Sequence, residues 1–220
     1  MKSVSQIAKH ISSLCSGQWD KRYTRSKLST DPLYEGVFKE LEHRDNPLLD
    51  IGCGIGLLGL YLRERGWRSP ITGFDYDCRK IESGLKLLEH GGYEGIKLSQ
   101  GDARVNLPTH HGDVTILDIL QFFEPEQQQL LLAVAATKVS ADGKLIIRSG
   151  LKESNLRFFI TWLGDMVAKC TFWMKAAPKH YPSAEFFQQA LEELGFSVEV
   201  RPFWGNTPFN NYLIVAQRQE

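Results

Sequence analysis

The chain has 220 residues, 42% of them hydrophobic, with 26 Lys+Arg against 26 Asp+Glu. That length suits one domain with a proper core, and the balanced charge leaves no basic footprint for nucleic acid or for an anionic membrane surface. Cys15, Cys53, Cys78 and Cys170 have no metal-ligand spacing, so no metal site is expected and they read as reduced thiols of a cytoplasmic protein. No apolar run is long enough for a membrane span, and the first residues carry no signal-peptide pattern.

Residues 1–46 read as a polar, helical N-terminal cap, broken at Asp31-Pro32. The run from Trp19 to Tyr34 mixes aromatics with Lys21, Arg22, Arg25 and Lys27. It reads either as a solvated helix face with two or three anchors, or as a segment closing over a ligand.

The stretch Pro47-Leu-Leu-Asp-Ile-Gly-Cys-Gly-Ile-Gly-Leu-Leu-Gly-Leu-Tyr-Leu62 predicts a buried strand, a glycine turn and a helix. Gly52, Gly54 and Gly56 permit a sharp turn and close approach of backbone to a ligand. Gly66 and Trp67 predict a Schellman end to the helix. Gly54, Gly56 and Gly59 also fit the dinucleotide fingerprint. Asp50 points elsewhere, because a carboxylate there repels a pyrophosphate and suits an ammonium group. The spacing Asp-x-Gly-x-Gly-x-Gly resembles the first motif of the class I S-adenosylmethionine-dependent methyltransferases. The resemblance implies that this loop, with Asp50, Gly52, Cys53, Gly54 and Gly56, holds the methionine part of the cofactor.

The second strand, Ile71 to Asp75, ends in an acid about 20 residues after the glycine loop, the distance that brings it to a ribose. Tyr76 would then lie against the adenine. A helix from about Cys78 to His90 ends at Gly91-Gly92. The third strand, Ile96 to Ser99, leads to Gly101-Asp102-Ala103. By the same resemblance Asp102 would take the adenine amino group, with Ala103 beside it. Asp118 closes the fourth strand, Asp113 to Asp118, and joins the expected cofactor set. So do Tyr23 and Lys27, as partners of the methionine carboxylate end.

The fourth strand is expected to continue into Ile-Leu-Gln-Phe-Phe123, before a helix opened by Pro125. In the family the loop after this strand faces the transferred methyl. Branches that methylate amines carry Asn or Asp, Pro-Pro and an aromatic there. This chain has Asp118-Ile-Leu-Gln121, which disfavours exocyclic-amine methylation and makes Gln121, Phe122 and Phe123 candidates for binding an acceptor.

The fifth strand, Lys144 to Arg148, precedes a helical insert, residues 150–182. Asn155 to Met174 predicts one amphipathic helix with Phe159, Trp162, Leu163, Met166, Val167, Cys170, Trp173 and Met174 on one stripe and Arg157 and Thr161 opposite. The stripe reads as a lid, as core packing or as a homodimer face. Trp162, Met166, Trp173 and Trp204 are the expected contacts of an apolar acceptor. His180 and Tyr181 are the candidate catalytic pair, against a plain reading as surface loop residues. Residues 183–220 predict a closing helix, Ala184 to Leu194, and the strands Ser197 to Phe203 and Tyr212 to Gln217 as an antiparallel hairpin.

The expected architecture is α/β: a doubly wound, mainly parallel seven-stranded sheet with an antiparallel last strand, helices on both faces, and a cofactor core over 47–149. The expected function is transfer of a methyl group from S-adenosylmethionine, leaving S-adenosylhomocysteine, to a small apolar or aromatic acceptor, with no nucleic-acid partner. A nicotinamide oxidoreductase and a catalytically silent binding module are the alternatives. The Trp19–Tyr34 run with the glycine stretch also resembles small bacterial enzymes of lipid and aryl-polyene pathways.

Overall fold

The structure is a computed structural model and describes residues 2–170 and 178–219. Its sheet has seven strands in the order β3-β2-β1-β4-β5-β7-β6, where β1 is Leu48–Ile51, β2 Ile71–Asp75, β3 Ile96–Gln100, β4 Asp113–Leu117, β5 Lys144–Gly150, β6 Phe196–Pro202 and β7 Asn211–Arg218. The chain divides into two compact units, Met1–Asn106 and Leu107–Glu220.

In the first unit β1, β2 and β3 run parallel, with Asp50 opposite Gly73 and Gly73 opposite Leu98. Helix α4 (Leu57–Glu64) ends as the sequence predicts. Gly66 has φ +92°, its N–H donates to Arg63 O, and the Trp67 N–H donates to Leu62 O. Arg63 is 5% exposed and is bound by backbone carbonyls. Its guanidinium donates to the carbonyls of Glu94, Trp67, Ser69 and Gly95, all at 2.9 Å. One buried cation thus fastens the end of α4 to the approaches of β2 and β3.

Three helices precede β1: α1 (Val4–Leu14), α2 (Gln18–Thr30) and α3 (Leu33–Leu41). Asp31-Pro32 separates α2 from α3, as its restricted backbone requires. Ser3 and Gln6 close α1 with a capping box. Tyr61 of α4 donates to Glu35 of α3, and Glu64 takes hydrogen bonds from Lys2 and Tyr93. The expected aromatic anchors of the Trp19–Tyr34 run resolve unequally. Tyr34 is buried, whereas Trp19 is 61% exposed and α2 buries Thr24 and Leu28 instead.

In the second unit β4 and β5 are parallel, and β7 runs antiparallel to both β5 and β6. Between them lie α6 (Pro125–Ala136), α7 (Leu156–Cys170) and α8 (Ala184–Glu192). Two expectations are corrected. Strand β4 does not continue to Phe123: it stops at Leu117, Asp118 takes φ +60°, and Leu120–Phe122 forms a 3-10 turn.

Helix α7 also docks by the side expected to face water. Arg157 stacks on Trp204 at 4.7 Å and donates to Thr207 O at 2.7 Å. The Asn210 N–H donates to Thr161 Oγ1, and Phe158 meets Tyr181 edge-on. Three residues of the predicted apolar stripe, Phe159, Trp162 and Leu163, lie outward, between 43% and 55% exposed. Polar groups hold α7 because the β6–β7 loop offers unpaired backbone and an aromatic face, which a charged and hydroxylated helix face satisfies. Trp173 and Met174 lie outside the described residues.

Candidate functional site

The glycine loop leaves the carboxyl end of β1 with Gly52, Gly54 and Gly56 all at positive φ, between 59° and 78°. Gly73 and Gly84 let it sit low. A Cβ on Gly73 would fall 2.9 Å from the Cys53 Cβ, and one on Gly84 would fall 2.8 Å from Ile55 O. Above Gly54 the situation is opposite: a Cβ there meets nothing within 4 Å, so the loop has an open face at its crest.

Four backbone donors of this loop are committed within the protein. Gly52 and Cys53 donate to Phe74 O, Gly56 donates to Cys53 O, and Gly54 donates to Asp75 Oδ2 at 3.0 Å. A dinucleotide loop keeps such N–H groups free to cradle phosphate. Here they are turned inward, and two buried carboxylates, Asp50 at 3% and Asp75 at 6% exposure, stand at the strand ends. Burial, then the nearby Asp50 and Asp75 charges, push the Cys53 thiol well above its ordinary value. The loop therefore sits in a negative field that favours an ammonium or hydroxyl donor over an anion.

Asp75 also accepts the Asp77 N–H at 2.9 Å, through its other oxygen. Each carboxylate oxygen keeps a lone pair for a further donor. Asp77, 1% exposed, caps α5 (Cys78–Gly91) and is gripped by Arg79. Tyr76, next to Asp75, is 42% exposed. Asp102 makes an Asx turn to the Arg104 N–H and takes its guanidinium bidentately, which holds the Asp102 carboxyl below the usual range. Ala103, inside that turn, is half-buried. Tyr23 is half-buried in α2, and Lys27 pairs with Asp31 at 2.7 Å one turn on.

In the second unit the residues after β4 form a polar clasp. Arg148 of β5, 2% exposed, binds Asp118 through Nε at 2.6 Å and through Nη2. Asp118, expected among the cofactor ligands, is thus paired with a buried guanidinium. The pair explains how a non-glycine residue is held at φ +60°. Gln121 O accepts the N–H groups of Lys179 and His180. Gln128, 1% exposed, donates to the carbonyls of Leu120, Phe123 and His180. Phe123 is buried and Phe122 half-buried. His180 is half-buried, and Tyr181, at 8% exposure, is not the surface residue of the plain reading.

Trp162 and Met166 sit on α7, exposed and half-buried respectively, and Trp204 lies under Arg157 and against Tyr212. No cluster of His, Cys, Asp and Glu among the described residues could hold a metal, and no described helix is long and apolar enough to cross a membrane.

A family model described as a methyltransferase domain matches residues 42–194. The chain belongs to the methyltransferase-domain family. The family's methyl donor, S-adenosylmethionine, is the ligand that the Asp-x-Gly-x-Gly-x-Gly spacing implies. The chain is 32% identical over 124 residues to a tRNA1(Val) (adenine(37)-N6)-methyltransferase of Vibrio vulnificus, covering 55% of this chain and 52% of that protein. It is 33% identical over 90 residues to a ribosomal protein L11 methyltransferase of Bacteroides fragilis, covering 41% and 32%. The chain thus spans about half the length, or less, of these curated relatives. In fold it resembles the magnesium protoporphyrin IX methyltransferase of Synechocystis PCC 6803, solved with bound S-adenosylhomocysteine: TM-score 0.66, 16% identity, 92% of this chain and 88% of that one. The nicotinamide alternative fails on the family match.

Sequence reasoning missed Gln128, Arg148 and Gly84. Asp77 carried a readable signal, an Asx residue just before a helical period. Gln128 carried none, since a glutamine on a helix is ordinarily solvent-facing.

Proposed function

We propose that this methyltransferase-domain protein transfers a methyl group from S-adenosylmethionine to a small apolar or aromatic acceptor. The observation that carries the cofactor half is the inward-turned glycine loop with Asp50 and Asp75 buried at its base. In this reading Asp50 serves the ammonium, Asp75 the ribose hydroxyls, Tyr76 the adenine face and Asp102 the adenine amine. Gly52, Cys53, Gly54 and Gly56 give the close backbone approach, with the open crest at Gly54 as the contact surface. The bound cofactor supplies an electrophilic methyl on a sulfonium.

The acceptor half rests on the clasp. Its exit from β4 carries Asp118-Ile-Leu-Gln121, not the Pro-Pro-aromatic element of amine-methylating branches, and Phe122 and Phe123 flank it. The chain's task is to align the acceptor atom, an effect worth about 7–11 kcal/mol when geometry is good. As the new bond to carbon forms and the carbon–sulfur bond breaks, the bonding pair stays on sulfur and the acceptor's proton must leave. His180 is the base this reading assigns, held by its N–H to Gln121 O and its carbonyl to Gln128. Tyr181 shapes the pocket wall beside Phe158. The outward stripe of α7, with Trp162 and Met166, is the lid, and Trp204 is its hinge support.

A second reading, a macromolecular acceptor, is favoured by the Vibrio and Bacteroides relatives, named for tRNA and ribosomal protein. A formal net charge of zero speaks against RNA. Incubation with radiolabelled S-adenosylmethionine and, in parallel, a phenol panel, total tRNA and ribosomal protein separates the two. The proposal expects label in the phenols; label only in tRNA or ribosomal protein would contradict it.

A further inference from the structure

The zero net charge of the chain conceals an asymmetry. Residues 1–30 carry six Lys and Arg against one acid, so they hold a formal charge of +5 and the rest of the chain −5. Such a surplus is the footprint of an anionic partner when the fold leaves the cations exposed. Two of the six are answered within the protein: Lys2 pairs with Glu64 at 2.6 Å and Lys27 with Asp31 at 2.7 Å. The other four, Lys9, Lys21, Arg22 and Arg25, are exposed, and none of them makes an ion pair among the described residues.

Three of these four lie on α2. The single acid, Asp20, is half-buried and turned to the start of its own helix: a Cβ built on Gly17 would fall 3.4 Å from Asp20 Oδ2. The helix buries Thr24 and Leu28. At about 3.6 residues per turn, the side opposite them carries Trp19, Arg22 and Ser26, flanked by Arg25 and Ser29, and Lys21 is exposed in the first turn. Trp19 is 61% exposed, more than any other described tryptophan. A lone exposed aromatic is ordinary. One that stands among exposed cations on a convex helix has the composition of an interfacial anchor. The indole body suits the acyl boundary, while its N–H and the long-stemmed cations stay with the headgroups. Single-stranded nucleic acid is instead held by several aromatics in series along a basic groove. The exposed side of α2 offers one ring on a convex surface, which suits a plane.

We propose that α2 docks on an anionic lipid surface, with Lys21, Arg22 and Arg25 at the headgroup phosphates and Trp19 at the boundary between headgroups and acyl chains. The attachment is peripheral and reversible. It is also salt-sensitive, because exposed cations act on the surface through a screened field. It asks nothing of the acceptor assigned above, and all of its residues belong to the first compact unit.

The test sediments the full chain with vesicles of phosphatidylcholine, and with vesicles in which one lipid in three is phosphatidylglycerol. Binding is expected only to the second kind, and should be lost in high salt. Lys21→Gln, Arg22→Gln and Arg25→Gln together should weaken it by about 100-fold, since each cation near such a surface contributes roughly five-fold. A second triple variant, Lys39→Gln, Lys86→Gln and Lys97→Gln, removes the same charge from exposed positions elsewhere in that unit and should bind within about three-fold of the parent. Trp19→Ala should weaken binding and leave its salt dependence unchanged. All of these side chains are exposed, and circular dichroism checks that the variants fold. Equal binding to both kinds of vesicle, binding to neither, or equal losses in the two triple variants would each overturn the proposal. Capture of total tRNA in place of vesicles would overturn it too, and would assign the face to nucleic acid.

Discussion

Asp75 performs two tasks with one carboxylate. It takes the Gly54 N–H and the Asp77 N–H, so it shapes the glycine loop and the start of α5 before any ligand arrives. Its remaining lone pairs are those assigned to ribose hydroxyls. Asp75→Ala should therefore weaken S-adenosylhomocysteine by about 10- to 150-fold, the loss of charge-assisted bonds worth about 1.5–3 kcal/mol. It should also lower stability, because two buried N–H groups lose their acceptor, at a cost of about 1–3 kcal/mol each. Calorimetry and urea unfolding read the two effects separately. Unchanged affinity in a folded Asp75→Ala protein would refute the ribose assignment. Asp50 and Asp75 were legible in sequence because an acid at a strand end has a characteristic setting. The grip of Asp102 on Arg104 depends on a two-residue turn that spacing does not reveal.

At the scale of elements, the glycine turn, the capped helices and the closing hairpin follow from local rules and emerge where expected. β1 and β2 match to the residue, because a buried parallel strand reads as a mainly apolar run. What failed was the rule that an apolar helical stripe faces the core. In α7, Arg157 and Thr161 dock, and Phe159, Trp162 and Leu163 of the stripe are left exposed. Trp162→Ala should therefore keep stability within about 1 kcal/mol of the parent, far from the 3–5 kcal/mol of a core tryptophan. With normal cofactor affinity and reduced acceptor turnover, the lid role stands; a change in mass by light scattering would point to a dimer face instead. Arg63 is the opposite case, a charged residue at the centre of an element junction. Arg63→Leu should cost about 3 kcal/mol or more in urea unfolding, because four carbonyls lose the buried guanidinium that binds them. A loss under about 1 kcal/mol would show that the junction is held otherwise.

For the whole molecule, the central claim is that this fold carries S-adenosylmethionine on an acidic glycine loop. Strand order and the antiparallel β7 give the architecture, and the family match gives the lineage. The proposed small acceptor is a separate claim, resting on charge balance and the β4 exit. The measurement that bears on the claim most directly is a calorimetric titration of the purified protein with S-adenosylhomocysteine and, separately, with NADH. Saturable one-to-one binding of S-adenosylhomocysteine with no heat from NADH is the expected result. Binding of NADH, with S-adenosylhomocysteine silent, would contradict the account at its base.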